Sequence, residues 1–489
     1  MGNEEKVVVT VTNKSKYPKP PFNPGDNFPE FEEFKFMELE KDEKNEIYGM
    51  VRESLYLLGL DRKNWHTIKW NPMKDLVTKG SKVVIKPNLV KADHPLGDKG
   101  IECTITNASV IRPIIDYLLL ATEGDIDITI ADVPLQSSNW NQLIEKSGLA
   151  DLVSFYKSKR IKIKLLDLRY EIAFRNKAGV VDKRDTKIRD PLGYSEVDLK
   201  DESELMDIIE YNEKLEITDY PSTVIAGHHN KERNEYLICN TILNADLFIN
   251  VPKLKTHRKA GMTFALKNLI GINGDKSWIA HHRRGSKSRG GDEYEKFDLY
   301  YWFRWHLFKF LKKSKFGILI ASFIKQFYEK FIWKGSKIDE VKMKGEKTPS
   351  MEGSWYGNDT LWRCILDLNK IIFYSDKEGH LRETPQRKYL CIGDAIISGE
   401  KEGPMENMPK KSGLIIAGFN PVSVDFVASK LMGFDWKKIP QISNAFKIKK
   451  FNLTTIKPSN IKIQSKSNDV ENINLQFEPT INWKGNIER

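Results

Sequence analysis

From Ser81 onward, short apolar runs alternate with stretches of helical periodicity. This alternation is typical of α/β proteins that have a mainly parallel sheet with helices on both faces. It predicts strands at 82–86, 126–132, 161–168, 245–251, 388–394 and 413–418. It also predicts helices at 107–121, 138–148, 262–270 and 421–432. The sequence therefore predicts an α/β fold, interrupted by a basic, aromatic and helical insertion.

Changes in composition along the chain predict four parts. Residues 1–80, with Pro-rich turns and an acidic stretch, read as an N-terminal appendage. Residues 81–275 and 385–445 form a discontinuous α/β domain, in which the strands and helices alternate. Residues 276–384 form the insertion, with a loop and amphipathic helices, and residues 446–489 form a C-terminal edge segment.

The insertion contains a basic and aromatic stretch. Residues 299–350 include 12 Lys and Arg against 4 Asp and Glu, and residues 299–335 hold 13 of the chain's 52 aromatic residues (24 Phe, 17 Tyr and 11 Trp). An amphipathic helix of this composition suits the surface of an anionic bilayer. Inward packing of the aromatic side chains as a subdomain is the alternative interpretation.

Composition excludes several classes of protein. The 489 residues are 40% hydrophobic and 30% charged, which is ordinary for a globular chain, and the net charge of +11 (78 Lys and Arg against 67 Asp and Glu) favours an anionic partner. The four cysteines are too few and too far apart for a disulfide framework, a zinc ribbon or an iron–sulfur cluster, so no such cluster is predicted. There is no apolar signal core in MGNEEKVVVTVT, and we expect a cytoplasmic protein that could lie peripherally at a membrane.

Charged side chains follow four of the predicted strands, at the point where each strand ends. These are Lys86 in KPN, Asp132 in ADVP, Lys253 in VPKLKTH and Asp394 in GDAIISGE. The carboxyl ends of parallel strands share one edge of a sheet, and ligands of α/β proteins sit in the crevice outside that edge. The competing interpretation is that strands simply become polar where they reach solvent.

The segment VPKLKTHRKAGMTFALKNLIGING predicts an anion-binding site. In an extended chain Lys253, Lys255 and His257 point to the same side, and three cations on one side repel each other unless an anion relieves the repulsion. The predicted helix that follows would bring its amino terminus beside them, which also suits phosphate or carboxylate. We expect His257, Lys255 and Asp394 to be catalytic, with His257 as acid or base. The predicted substrate-binding residues are Lys86, Asn88, Lys253, Thr256, Lys267, Asn268, His282 and Arg283. A solvated basic loop is the alternative.

The segment WIAHHRRGSKSRGGDEY reads as a loop that closes over this site. Its adjacent His281 and His282 cannot both face one ligand in an extended chain. The identity of any cofactor stays open at this stage, but Asp132, Asp394 and Glu400 offer oxygen ligands for a divalent metal. Asp425, five residues after Asn420, would be buried within a helix and would need a partner.

These segments, taken in order, resemble the uncharacterised family called domain of unknown function 362. The resemblance covers roughly residues 80–440 and includes KPN, IADVPLQS, VPKLKTH, GMTFALKNLIGINGDK, HHRRG, GDAIISGEKEGP and GFNPVSVDFVASKLMGFDW. It implies no settled reaction. Some members carry Cys-rich ferredoxin-type segments, which this chain lacks, and Asn107 stands where the family often has His, which puts a metal or general-base role there in doubt.

Two functional hypotheses follow. The first is an enzyme, of unassigned reaction, that binds a small phosphate- or carboxylate-bearing substrate at the carboxyl edge of the sheet. The second is a peripheral membrane or complex-forming protein that uses the stretch 299–335. Nucleic acid is a weaker candidate, because no recognisable nucleic-acid-binding motif accompanies the basic residues. The sequence does not indicate the oligomeric state.

Overall fold

The computed structural model describes residues 4–34, 39–42, 44–176, 181–295, 299–311, 316–317, 319–320, 323 and 352–489. The predicted amphipathic insertion therefore lies partly outside the described residues. The basic and aromatic stretch 299–335 also lies partly outside them.

A ten-stranded, mostly parallel sheet forms the centre of the molecule. Its main order is β16-β1-β15-β14-β10-β2-β3-β4, and β11 continues beside β14 with β12 paired to it. The strands are β1 (Glu5–Val11), β2 (Lys82–Pro87), β3 (Asp127–Asp132), β4 (Ile163–Asp167), β10 (Leu247–Val251), β11 (Lys253–His257), β12 (Gly261–Thr263), β14 (Lys388–Glu400), β15 (Met408–Gly418) and β16 (Ile461–Gln464). Three two-stranded sheets contain β5 (Glu171–Arg175) with β6 (Val181–Thr186), β7 (Tyr194–Asp198) with β9 (Glu235–Cys239), and β8 (Leu215–Glu216) with β13 (His282–Arg283).

Helices cover both faces of the central sheet. They are α1 (Glu46–Leu57), α2 (Asp98–Glu102), α3 (Ile111–Thr122), α4 (Trp140–Lys146), α5 (Leu149–Ser158), α6 (Ser222–His228), α7 (Asn240–Leu243), α8 (Ala265–Asn268), α9 (Leu299–Leu311), α10 (Leu361–Tyr374), α11 (Pro421–Met432) and α12 (Pro440–Ala445). The longest 3₁₀ segment is Glu204–Lys214. No helix in the described part of the chain combines the length and apolar character needed to cross a bilayer.

Alternate residues of the central strands β1, β2, β10, β14 and β15 belong to two separate hydrophobic cores. Val84 packs in one core with α10 and α11, whereas its neighbours Val83 and Ile85 pack in the other with α1, α3 and α5. Side chains of a strand alternate between faces, so a sheet that is covered on both sides must be apolar at every position. This arrangement confirms the predicted α/β class with helices on both faces.

The observed elements match most of the predicted strands and differ at one helix. A single helix was expected over 262–270, but Gly261–Thr263 forms a strand antiparallel to β11, and the helix α8 is only four residues long before a 3₁₀ turn at Leu269–Ile272. The backbone groups of Gly261–Thr263 pair with β11, so the helix can begin only after these residues. The helical periodicity of the apolar residues does not reveal this strand pairing.

The first strand of the chain is part of the central sheet. Strand β1 lies between β15, to which it is antiparallel, and β16, to which it is parallel, and β16 is at the edge of the sheet. Val7, Val8 and Val9 are fully buried. The predicted appendage 1–80 thus contributes a strand to the α/β sheet, while the division of the chain into four parts stays a prediction.

Candidate functional site

The ends of the predicted strands meet at one edge of the sheet. Strand β10 lies between β2 and β14, with Asn250 in register with Lys86 on one side and Cys391 on the other. Lys253, at the start of β11, is in register with Asp394 of β14. The four charged residues expected at this edge are therefore distributed as two pairs.

Lys86 and Asp132 form the first pair. The Lys86 Nζ is 2.7 Å from the Asp132 Oδ1, and both side chains are almost fully buried. The Asp132 carboxylate also accepts hydrogen bonds from the backbone N–H of Leu89 and Val133. Burial lowers the pKa of Lys86, although Asp132 opposes the shift. The Lys86 charge is thus already balanced inside the protein.

A glycine allows this pair to form. A methyl group on Gly271 would lie 2.3 Å from the Asp132 Oδ1 and 2.6 Å from the Lys86 Nζ. The Gly271 carbonyl accepts a hydrogen bond from the Val133 N–H at 3.1 Å, so the two segments are held in close contact. A side chain at this position would displace the ion pair.

Lys253 and Asp394 form the second pair, together with Tyr17, which no pattern in the sequence singled out. The Lys253 Nζ is 3.0 Å from the Asp394 Oδ2, and the Tyr17 hydroxyl donates to the Asp394 Oδ1 at 2.7 Å. The backbone N–H of Asn107 donates to the Asp394 Oδ2. All three side chains of this group are buried. Asp394 is therefore fully engaged within the protein and positions Lys253 and its own strand.

Asn268 connects the first pair to the sheet. Its Oδ1 accepts from the Lys86 Nζ at 3.2 Å and from the Asn88 Nδ2 at 2.8 Å, and its Nδ2 donates to the Asn250 Oδ1 at 2.7 Å. Thr256 belongs to a different contact, because its hydroxyl donates to the Lys401 carbonyl at 2.7 Å. Asn88 and Asn268 thus lie beside Lys86, while Thr256 anchors the chain after β14, and the role of these residues in substrate binding stays a prediction.

Six basic side chains lie beside the two pairs, and we call them the cation cluster: Lys255, His257, Lys259, Lys267, Lys276 and His281. They are electrostatic neighbours, because positive charge on one member lowers the pKa of another. Four of them come from the single segment 255–267, as β11 and β12 fold back on each other and lead into α8.

The lysines of the cluster have lowered pKa values. Burial, followed by the charge of Lys267, holds the pKa of Lys255 well below its ordinary value. Burial, followed by Lys276 and Lys259, lowers the pKa of Lys267 to about 7. Burial lowers the pKa of Lys259 and of Lys276 to about 8. These amines thus lose their protons far more readily than solvent-exposed lysines do.

In the described part of the chain, carboxylates act on the cluster only from beyond ion-pair distance, Glu352 on Lys259 and Asp132 on Lys276. Among the residues that the structure describes, none of its four lysines has an ion-pair partner within 4.0 Å. The Lys255 Nζ donates to the Thr104 carbonyl, and the Lys276 Nζ donates to the Ile270 carbonyl at 2.7 Å. The hydroxyl of Thr263, which is in register with Lys255, is buried without a hydrogen-bond partner. Unbalanced cations and a free hydroxyl are suited to an anionic oxygen.

The two histidines of the cluster have opposite tautomers. The backbone N–H of Lys259 donates to the His257 Nδ1 at 3.0 Å, so the neutral ring carries its proton on Nε2. The His281 Nδ1 is 2.9 Å from the Ile279 carbonyl, which can only accept, so the proton is on Nδ1 and Nε2 is free to accept. Burial and nearby lysines hold the pKa of both rings well below the ordinary value. His257 can therefore donate through Nε2, and His281 can accept through Nε2.

His282 and Arg283 do not belong to the cluster. The His282 Nε2 is 3.8 Å from the Glu216 Oε2, across the pairing of β13 with β8. The Arg283 guanidinium contacts the Gly290 carbonyl and the Asp359 carboxylate. The adjacent side chains point in different directions, and it is His281 that lies near the lysines. The segment predicted to be a closing loop is held by a short strand pair and by these contacts.

Each of the three carboxylates proposed as metal ligands forms an ion pair with a different lysine. Asp132 pairs with Lys86, Asp394 with Lys253, and the Glu400 Oε2 is 2.8 Å from Lys410. Within the described ranges, no group of three or more His, Cys, Asp or Glu side chains could hold a metal ion. The structure therefore does not bring this trio together as a metal site.

The predicted amino terminus of the helix is occupied as well. The buried Asp425 carboxylate accepts from the backbone N–H groups of Ala265, at 2.7 Å, and Leu266, at 3.2 Å. These groups begin α8, so the position at which we expected a bound anion holds an internal carboxylate. Burial raises the pKa of Asp425 to about 8. The partner required for a buried Asp425 is thus the backbone of α8.

Sequence reasoning missed Lys259, Lys276 and Tyr17. Lys259 could have been found, because it continues the alternation of Lys255 and His257 by two residues. Lys276 follows the turn after the apolar helix, where only the tertiary fold brings it back to the cluster. Tyr17 lies 236 residues from Lys253 in a Pro-rich segment and carried no local signal.

Comparison with known proteins identifies one family. Its model, described as Domain of unknown function (DUF362), matches residues 193–430. No curated protein and no solved structure matches the chain. The whole cation cluster lies inside the matched segment, whereas Lys86, Asp132 and Tyr17 lie outside it. Residues 193–430 of the chain are thus similar to the DUF362 family.

Proposed function

We propose that the chain is an enzyme that binds a small anionic substrate, bearing phosphate or carboxylate, in the cation cluster at the carboxyl edge of the sheet. The observation that carries this proposal is the imbalance of charge. Four buried or half-buried lysines and two histidines lie together, and among the described residues none of the lysines has a carboxylate within 4.0 Å. The reaction itself is left unassigned.

The imbalance supports binding because it is costly to the folded protein. Buried charges normally occur with a partner, and an unpaired ammonium in a low-dielectric site loses its proton or destabilises the fold. Lys86 and Lys253 follow this rule, since each has a carboxylate within 3.0 Å. An anion in the cluster would balance the remaining lysines and raise their pKa values.

The side chains divide by chemical role in this proposal. Lys255 and Lys267 attract the anionic group, and the His257 Nε2–H donates a hydrogen bond to one of its oxygens. The His281 Nε2 is the candidate general base, because it is neutral and unprotonated at pH 7. The role of acid or base that the sequence suggested for His257 thus passes to His281. Asp394 holds Lys253 and is a positioning residue.

The proposal is tested by ligand-induced thermal stabilisation. Sulfate and inorganic phosphate are titrated into the purified protein, with potassium chloride at matched ionic strength as the reference. The wild type should show a saturable rise in Tm, and Lys255→Ala/His257→Ala should abolish it. Lys462→Ala, at an exposed lysine of β16, should leave it unchanged.

Two results would contradict the proposal. One is a wild type that responds to sulfate and phosphate no more than to chloride. The other is a double variant that folds and keeps the full stabilisation. Native mass spectrometry of the untreated protein complements the titration, since a co-purified anion that is lost in the double variant would reveal the substrate class.

A further inference from the structure

Helix α9 exposes large apolar side chains along one face. Leu299, Phe303 and Phe310 are 66%, 62% and 69% exposed, and Trp302 and Leu307 are each about 40% exposed. Their positions follow the spacing i, i+3, i+4, i+8 and i+11, which places all five on one side of a helix. The helix thus carries a wide apolar stripe, and we call these five residues the α9 stripe.

The exposed apolar groups are concentrated in this region. Of the fourteen large hydrophobic side chains that are exposed in the described part of the chain, eight lie between residues 299 and 323. The other six are distributed along the chain from Val11 to Tyr356, and single exposed apolar residues need no explanation. A continuous exposed apolar surface marks a site of interaction with another molecule or with a membrane.

The charge of the surrounding sequence selects the partner. Helix α9 contains two basic residues, Arg304 and Lys309, and no Asp or Glu. A second copy of the chain would bring the same positive charge to the contact, so repulsion opposes self-association through the stripe. An anionic bilayer offers both an apolar interior and negative headgroups, and Trp302 is of the residue type that prefers the boundary between them.

We propose that the α9 stripe is a docking surface for an anionic lipid bilayer, with the helix lying in the plane of the interface. Thirteen residues cannot span the hydrocarbon core, which takes about 20. The apolar side chains enter the headgroup region, and the basic composition of α9 favours anionic lipid. This surface shares no residue with the cation cluster.

The test is co-sedimentation of the full chain with vesicles of phosphatidylcholine, with and without one quarter phosphatidylglycerol. The wild type should pellet with the anionic vesicles and be released by high salt. Trp302→Ser/Phe303→Ser/Phe310→Ser should weaken the pelleting at least tenfold. The matched control is Ile68→Ser/Ile188→Ser/Leu192→Ser, which replaces three comparably exposed apolar residues elsewhere and should pellet like the wild type.

Each remaining outcome overturns the proposal. A wild type that stays in the supernatant excludes the bilayer. Equal pelleting of the α9 and control variants removes the role of the stripe. Loss of pelleting in Lys255→Ala/His257→Ala would show that lipid headgroups enter the cation cluster instead. A concentration-dependent dimer that dissociates in the α9 variant, measured by analytical ultracentrifugation, would assign the stripe to a second copy.

Discussion

At the scale of single residues, the site contains two kinds of buried lysine. Lys86 and Lys253 each have a carboxylate within 3.0 Å and stabilise the strand ends. Lys267 has neither an ion pair nor a side-chain hydrogen bond among the described residues. The first kind is structural, whereas the charges that act on Lys267 are all positive.

This difference predicts opposite effects of the same substitution. Lys267→Met should raise the free energy of unfolding by about 1 kcal/mol at pH 7, after allowance for its partial exposure, because it removes an unbalanced charge. Lys253→Met should lower it by about 3–5 kcal/mol, because Asp394 is left buried without its partner. Urea denaturation of both variants and the wild type measures the two values.

The gain in free energy of unfolding that we expect from Lys267→Met depends on pH. The pKa of Lys267 is about 7 in the folded protein, below the ordinary value of 10.5, so the unfolded chain binds more protons between these values. The stability of the wild type therefore rises with pH across this window. The advantage of the variant should be full below about pH 7 and disappear towards pH 10.5. An advantage that is independent of pH would show that packing, and not charge, is its cause.

The residue scale also shows what the sequence could predict. Alternation along a strand placed Lys253, Lys255 and His257 on one side, and Lys255 and His257 do share the cation cluster. The pairing of β11 with β14 shifts its register between Lys253 and Lys255, and Lys253 pairs with Asp394. An irregularity of this kind depends on the partner strand, so the alternation of one strand cannot reveal it.

At the scale of elements, the short helix α8 depends on one buried carboxylate. Asp425 of α11 accepts from the first N–H groups of α8, and α8 contains Lys267. A four-residue helix has little stability of its own, so this contact from another helix fixes where it begins. Asp425 therefore helps to position the cation cluster without touching it.

Asp425→Asn tests this role through the pH dependence of protein stability. Burial raises the pKa of Asp425 from 3.8 to about 8, so the unfolded chain releases the proton before the folded protein does. The wild type should therefore lose stability relative to the variant as pH rises from about 4 to about 8, by on the order of 1 kcal/mol per pH unit, with no further change above. Thermal denaturation of both proteins at a series of pH values measures the difference. A constant difference would refute the raised pKa.

Most elements could be predicted because each depends on its own residues. The apolar runs at β2, β10 and α11 lie within a residue or two of the expected bounds. The hairpin β11–β12 could not be predicted, because Met262 and Thr263 fit an apolar helical face as well as a strand. Pairing with β11 makes this segment a strand and not a helix, and that pairing belongs to the tertiary structure.

At the scale of the whole molecule, the sheet joins both ends of the described chain. Strand β1 is antiparallel to β15 and parallel to β16, and it contributes apolar residues to both hydrophobic cores. The sequence separated residues 1–80 from the α/β body because their composition differs. Composition shows that neighbouring segments differ, but it cannot show that two strands about 400 residues apart in the sequence pair with each other.

Val8→Asp distinguishes a strand of the core from a dispensable appendage. Val8 is fully buried, so the substitution should lower the free energy of unfolding by more than about 3 kcal/mol. Val11→Asp, in the same strand but 39% exposed, should change it by less than about 0.5 kcal/mol. Denaturation followed by circular dichroism compares them. If both variants had the same stability, β1 would be a dispensable appendage and not a strand of the core.

The position of β1 has a consequence for biosynthesis. Its neighbours begin at residues 408 and 461, so the ribosome must produce most of the chain before either is present to pair with Glu5–Val11. Until then, the apolar valines of the nascent segment have no strand beside them, and non-local pairing of this kind is slow to form. We therefore expect the nascent polypeptide to require chaperones during translation. This requirement should increase with the time that β1 spends without its neighbouring strands.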